Sequence, residues 1–143
     1  MKKLLFHVLF FLSGFLLHAQ YDAYQIYDSG GKKTEFTKVL KKISKADIIF
    51  FGESHDDPIV HWLELQLIKK FPDIAEGKVI AGAEIFETDN QLILDEYFSG
   101  YFDDKRFEEG ARLWDNYKTD YKPFLLAAKE SGIPLVATNI PRQ

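Results

Sequence analysis

The sequence predicts an α/β fold: a parallel β-sheet flanked by helices, in the order β-α-β-α-β, with a small helical insertion. Apolar runs at Asp47–Gly52 (DIIFFG), Lys78–Phe86 (KVIAGAEIF) and Ile133–Ile140 (IPLVATNI) have the length of strands and end in polar or turn residues. Between them lie stretches whose apolar residues recur at helical spacing. Those stretches are long enough to be crossovers, and a crossover joins strands that run parallel in right-handed units.

The elements follow in order. Met1-Lys2-Lys3 leads into an apolar run from Leu4 to Leu17, and the small residue Ala19 stands at its exit. This is the pattern of a secretory signal peptide, residues 1–19, cleaved after Ala19. The run is shorter than the roughly 20 residues that cross a bilayer, so no membrane span is expected after cleavage; an uncleaved anchor is the rival reading. The chain has no Cys, which excludes disulfides and a lipid-modified N-terminus, so the expected location is periplasmic or secreted. Residues 20–34 are polar and contain Gly, and read as a lead-in segment to a domain over 35–143.

Within that domain Phe36, Val39, Leu40 and Ile43 predict a short helix. DIIFFG reads as a strand buried on both faces, because apolar residues fill it without alternation. Asp57 is a good N-cap with Pro58 at the first helical position, and Phe71-Pro72 should close that helix near Lys70. KVIAGAEIF is the second strand, with small residues that permit close packing. Thr88 can cap a helix that Gly100 ends, and Tyr101–Tyr121 reads as short helical pieces. A helix with Pro123 early and Gly132 at its end leads to the third strand.

In a parallel sheet the residues after each strand emerge at one edge, and in open α/β sheets ligands sit there. That edge would gather Gly52, Glu53, Ser54, His55, Asp56 and Asp57, then Glu84 and Glu87, then Asn139 and Arg142. Asp56 and Asp57 are explained equally well as helix caps, and Glu53 as a solvated carboxylate. Glu84 interrupts an apolar strand, where a charge is costly unless paired; Arg142 or His55 could pair it in a structural ion network. On the helix from Pro58, the main apolar stripe is Val60, Leu63, Leu67 and Phe71, whereas His61, Trp62 and Leu65 lie on another side. Such a side suggests a second contact: further chain, a partner subunit or a flat apolar ligand. The rival is an ordinary packed histidine. A net charge of −4 with no basic stripe excludes a phosphate-backbone binder, so no nucleic-acid partner is expected. There is no Cys nucleophile, GxSxG elbow, Gly-rich phosphate loop or HExxH pair.

GESHDDPIVHWLELQLIKKF, GAEIFETDNQLILDEYFSG and LWDNYKTDYKPFLLAAKESGIPLVATNIPR, taken together and in this order, resemble the ChaN-like haem-binding uptake family. That family belongs to a wider group with Tiki/TraB proteins and erythromycin esterases. G-E-x-H alone is weak; followed by E-x-F-x-x-x-x-Q and N-x-P-R it is fairly specific. The resemblance implies parallel strands with a helical subdomain, export, and haem binding in iron acquisition. In the wider group the matching positions, Glu53, His55 and Glu84, form a hydrolytic or metal site, with Asn139 and Arg142 in the third loop. Family members are usually lipid-anchored, which the missing Cys does not allow here. The chain stops just after the third motif, so the domain is expected to be the N-terminal part of a longer one.

The first expectation is therefore an exported haem-binding protein of haem/iron uptake, acting by sequestration, with a homodimer that could share the porphyrin and an uptake-system partner. His61 or a tyrosine would approach the iron, Trp62 would lie against the porphyrin, and Asn139 and Arg142 would meet its polar edge. The alternative is a hydrolase. There His55 is general base or, with Glu53, ligand to a divalent metal, and Glu53 and Glu84 are the carboxylate partners.

Overall fold

The computed structural model describes residues 22–75 and 78–142. The expected signal peptide lies outside them, and among the described residues no helix is long and apolar enough to cross a membrane. The chain divides into two compact units, Met1–Thr34 and Glu35–Gln143. In the first, the expected lead-in contains a small antiparallel hairpin, β1 (Ile26–Tyr27) against β2 (Lys33–Thr34). Asp28 builds its turn: Oδ1 accepts from the Gly30 and Lys32 amides, and Gly31 takes φ +77°.

The second unit is α/β, a parallel strand pair flanked by helices. Its elements are α1 (Phe36–Ile43), α2 (Pro58–Ile74), β3 (Ala81–Glu87), α3 (Gln91–Phe98), α4 (Asp104–Gly110), α5 (Lys122–Glu130) and β4 (Leu135–Asn139). A 3₁₀ turn, Thr88–Asn90, precedes α3, and a π turn, Tyr117–Tyr121, precedes α5. β3 and β4 run parallel, with Ala81 opposite Leu135, Gly82 opposite Val136 and Ala83 opposite Ala137. The register then slips, and Glu87 faces Asn139. Gly82 is small because its strand neighbour is close: a Cβ there would lie 2.9 Å from Thr138 Cγ2.

Helix signals behave as local chemistry dictates. Asp57 caps α2, its carboxylate accepting from the Ile59 amide at 2.9 Å and the Val60 amide at 3.3 Å, with Pro58 in the first turn. Gly100 and Gly132 take φ +80° and +65° just beyond α3 and α5. The residue after each glycine returns a hydrogen bond into its helix, Tyr101 to Glu96 and Ile133 to Ala128. Two expected boundaries move. α2 runs on through Pro72 to Ile74, and α3 begins at Gln91, the turn at Thr88 being 3₁₀.

The first expected strand requires a larger correction. Asp47–Gly52 joins no ladder among the described residues, and Phe50 is 95% exposed, with Ile48 and Phe51 also exposed. An unbroken apolar run signals a tendency to be covered, but a strand also needs a neighbour's hydrogen-bonding edge. Here the described ladder of this unit is β3 with β4 alone.

The main core packs β3 and β4 against α3, α4 and α5 through Ile85, Phe86, Leu94, Tyr97, Phe107 and Leu125. A second cluster of Ile68, Ala127, Ala128 and Ile133 fastens α2 to α5. The α2 contact matters most for function, because its first turn carries His61.

Candidate functional site

The loop Gly52–Asp57 and the first turns of α2 bring three ionisable side chains together. His61 and Glu64 are three residues apart on α2, a spacing that puts them on one helix face. His61 Nδ1 lies 3.2 Å from Glu64 Oε2 and 3.5 Å from Glu53 Oε2. Its Nε2 lies 3.1 Å from the His55 backbone oxygen. A carbonyl can only accept, so Nε2 carries the hydrogen and Nδ1 faces the two carboxylates. His61 is only 3% exposed. One nitrogen and one oxygen from each carboxylate thus lie within 4.8 Å of one another.

Glu53 is held from its other side. Its Oε1 lies 2.8 Å from His55 Nδ1 and accepts the Tyr121 hydroxyl at 3.0 Å. Asn116 Nδ2 donates to the His55 carbonyl at 2.6 Å and to Asp120 at 2.9 Å. Rings close the cluster edge to face: His55 on Trp114 with centroids 4.7 Å apart, His61 on Tyr121 at 4.5 Å, and Trp114 on Tyr121 at 5.5 Å. Tyr121 ends the π turn, an irregularity that often marks functional positions.

This crowding shifts the titrations. Burial, then the charge of Glu53, pushes the Glu64 carboxyl up to about 7, against the pull of His61. Burial alone would lower the His61 imidazolium, but its bond to the His55 carbonyl and the carboxylates of Glu64 and Glu53 raise it overall. Tyr121 is pushed well above the ordinary phenol range, by burial first and then by its bond to Glu53.

A second cluster sits at the end of β3. Glu87, 1% exposed, accepts from Arg142 Nε at 2.6 Å and the Arg142 amide at 3.1 Å. Arg112 reaches the same carboxylate through Nε at 3.1 Å and also pairs with Asp89. Hydrogen bonds from Arg142, backbone and side chain, hold the Glu87 carboxyl below its ordinary range.

The predicted residues therefore separate. Glu53 and His55 meet each other, and His61 joins them. Arg142 pairs with Glu87, while Glu84 is exposed on β3. Asn139 closes its own turn by accepting the Ile140 amide at 2.8 Å. Trp62, on α2, is 44% exposed. Sequence reasoning missed Glu64, Trp114 and Asn116 as members of the site. Glu64 carried a readable signal, its three-residue offset from His61; Trp114 and Asn116 reach the site across more than half the domain.

A family model described as haem-binding uptake, Tiki superfamily, ChaN, matches residues 39–143. The chain belongs to this family. No curated protein matches, and no solved structure does. The matched stretch contains every residue of both clusters.

Membership in a haem-binding uptake family raises the question of which side chains could meet a porphyrin. His61 has both nitrogens engaged inside the protein and offers no free face. Tyr97, Tyr117 and Tyr121 are buried, and burial raises all three phenols, which opposes iron ligation by phenolate. His55 differs: its side chain is 54% exposed, and Glu53 holds Nδ1, which leaves Nε2 for an outside ligand. Exposed apolar side chains flank it in sequence, namely Phe50, Phe51, Ile59 and Trp62. The residues present fit the outer face of a haem site.

Proposed function

We propose that this chain binds haem as cargo in haem/iron uptake outside the cytoplasm, with His55 Nε2 as axial ligand. The observation that carries the reading is an exposed, carboxylate-oriented imidazole among exposed apolar side chains, in a chain of the haem-binding uptake family. Glu53 on Nδ1 makes Nε2 a better donor to iron, as outer carboxylates do for metal-bound histidines. Ile59 and Trp62 stand three apart on α2 and offer apolar area to the macrocycle. Arg142, whose side chain stays 69% exposed beside Glu87, would meet a propionate, with Asn139 nearby in sequence. A second copy could cover the opposite porphyrin face, and an uptake-system partner would receive the cargo.

Titration with haemin tests this. A saturating Soret shift at defined stoichiometry is expected, weakened at least tenfold by His55→Ala and severalfold by Trp62→Ala. A titration unchanged in His55→Ala overturns the reading.

The contact between His55 and Glu53 at 2.8 Å also favours a second reading, hydrolysis. A carboxylate on Nδ1 with Nε2 outward is the arrangement of a general base that activates water against an ester or amide. Glu84, the third carboxylate implied by the wider group, stands exposed on β3 and takes no part in this contact. Ester cleavage lost in His55→Ala, without any haemin response, would support this reading over the first.

A further inference from the structure

We propose that Glu53, His61 and Glu64 form a binding site for one divalent first-row transition cation, which shares Glu53 with the His55 imidazole offered to haem but none of its apolar surface. Three features of the geometry converge on this.

The first is spacing. An ion bound at about 2.0–2.2 Å by nitrogen and oxygen in a tetrahedron separates its ligands by about 3.4 Å. His61 Nδ1 stands 3.2 Å from Glu64 Oε2 and 3.5 Å from Glu53 Oε2. The second is orientation. A metal-ligating histidine donates its other ring N–H to a carbonyl or carboxylate, and its carboxylate partners are themselves hydrogen-bonded. Here Nε2–H is spent on the His55 carbonyl, while Tyr121 and His55 hold the far oxygen of Glu53. The third is burial. His61 aims Nδ1 inward while only 3% exposed, so this is no chance gathering of surface carboxylates. His61 and Glu64 come from one rigid helix face, and Glu53 is pinned from behind.

The donor set chooses the ion. One imidazole with two carboxylates suits Mn²⁺, Fe²⁺, Co²⁺ or Zn²⁺. Calcium wants six or more oxygens, and Cu⁺ wants thiolate, which the chain lacks. Affinity should rise from Mn²⁺ through Co²⁺ to Zn²⁺.

The test uses the full chain, without haem, titrated with ZnCl₂ by calorimetry and with CoCl₂ by visible ligand-field absorption. One ion per chain is expected. His61→Ala and Glu64→Gln should each weaken binding at least tenfold, Tyr121→Phe by a smaller factor, and Glu130→Gln not at all. Circular dichroism and melting check that each variant folds. If His61→Ala does not, Glu64→Gln decides, because it keeps shape and removes only a charge. His7 and His18 remain in every variant, so binding that survives both ligand substitutions belongs elsewhere and overturns the site. Absence of saturable binding overturns it as well. No haem enters the titration, so failure here leaves the haem reading standing, and failure of the haemin experiment leaves this site standing.

Discussion

Tyr121 connects most of the chemistry at the scale of single residues. Its hydroxyl donates to Glu53, its ring backs His61, and it is only 4% exposed. Tyr121→Phe keeps the ring and deletes the bond to a carboxylate, which should cost about 1.5–3 kcal/mol, measured as a lowered midpoint in urea at unchanged slope. At this scale the sequence was half legible. Glu53 and His55 are two apart in a short loop, so their meeting could be foreseen. The inward turn of His61 could not, because what covers it, Tyr121 and the His55 carbonyl, arrives from outside its own helix. The exchange of Glu87 for Glu84 as the partner of Arg142 has a simpler cause. Side chains alternate along a strand, and Ala83, Ile85 and Glu87 share the buried face, leaving Glu84 on the other.

Capping and turn chemistry govern the elements. Asp57 holds the first turn of α2, the turn that carries His61, so Asp57→Ala should cost about 1 kcal/mol, read as a lower melting temperature. Loosening that turn should also weaken the binding of any ligand that uses His61, although Asp57 touches none. Helix ends were readable where one residue type decides them, as at Asp57-Pro58, Gly100 and Gly132. The π turn was not readable, since nothing in Tyr117–Tyr121 marks a widened turn; packing of Tyr117 and Tyr121 into the core sets it. The run Ile48–Phe51 shows the limit most plainly. Its composition asks for cover on both sides, yet local sequence cannot say whether a neighbouring ladder exists to receive it.

Across the whole molecule, Glu87 joins three distant segments: the end of β3, the Arg112 loop and Arg142. Its carboxyl is held below the ordinary value of 4.5, so the folded form prefers it ionised. Its contribution is therefore complete above about pH 4.5 and is lost as pH falls through the lower folded value. Melts from pH 7 to pH 3 should show the wild type losing stability over that acid limb. Glu87→Gln should be less stable at pH 7 and flatter below 4.5. The fold class was legible because β-α-β order and crossover handedness leave few arrangements. The network was not, because charge pairing across the sheet edge depends on the register slip between Ala83 and Glu87.

The loop carrying Glu53 and His55 owes its position to partners far along the chain: Asn116 is 61 residues from His55, and Tyr121 is 68 from Glu53. Closing so large a ring costs entropy before any contact rewards it, and such closures are slow. During synthesis the constellation cannot exist until Tyr121 has been added, whatever has already formed upstream. In refolding, the edge-on stacking of Trp114 against His55 makes indole fluorescence a clock for the last step, and it should lag behind helix formation.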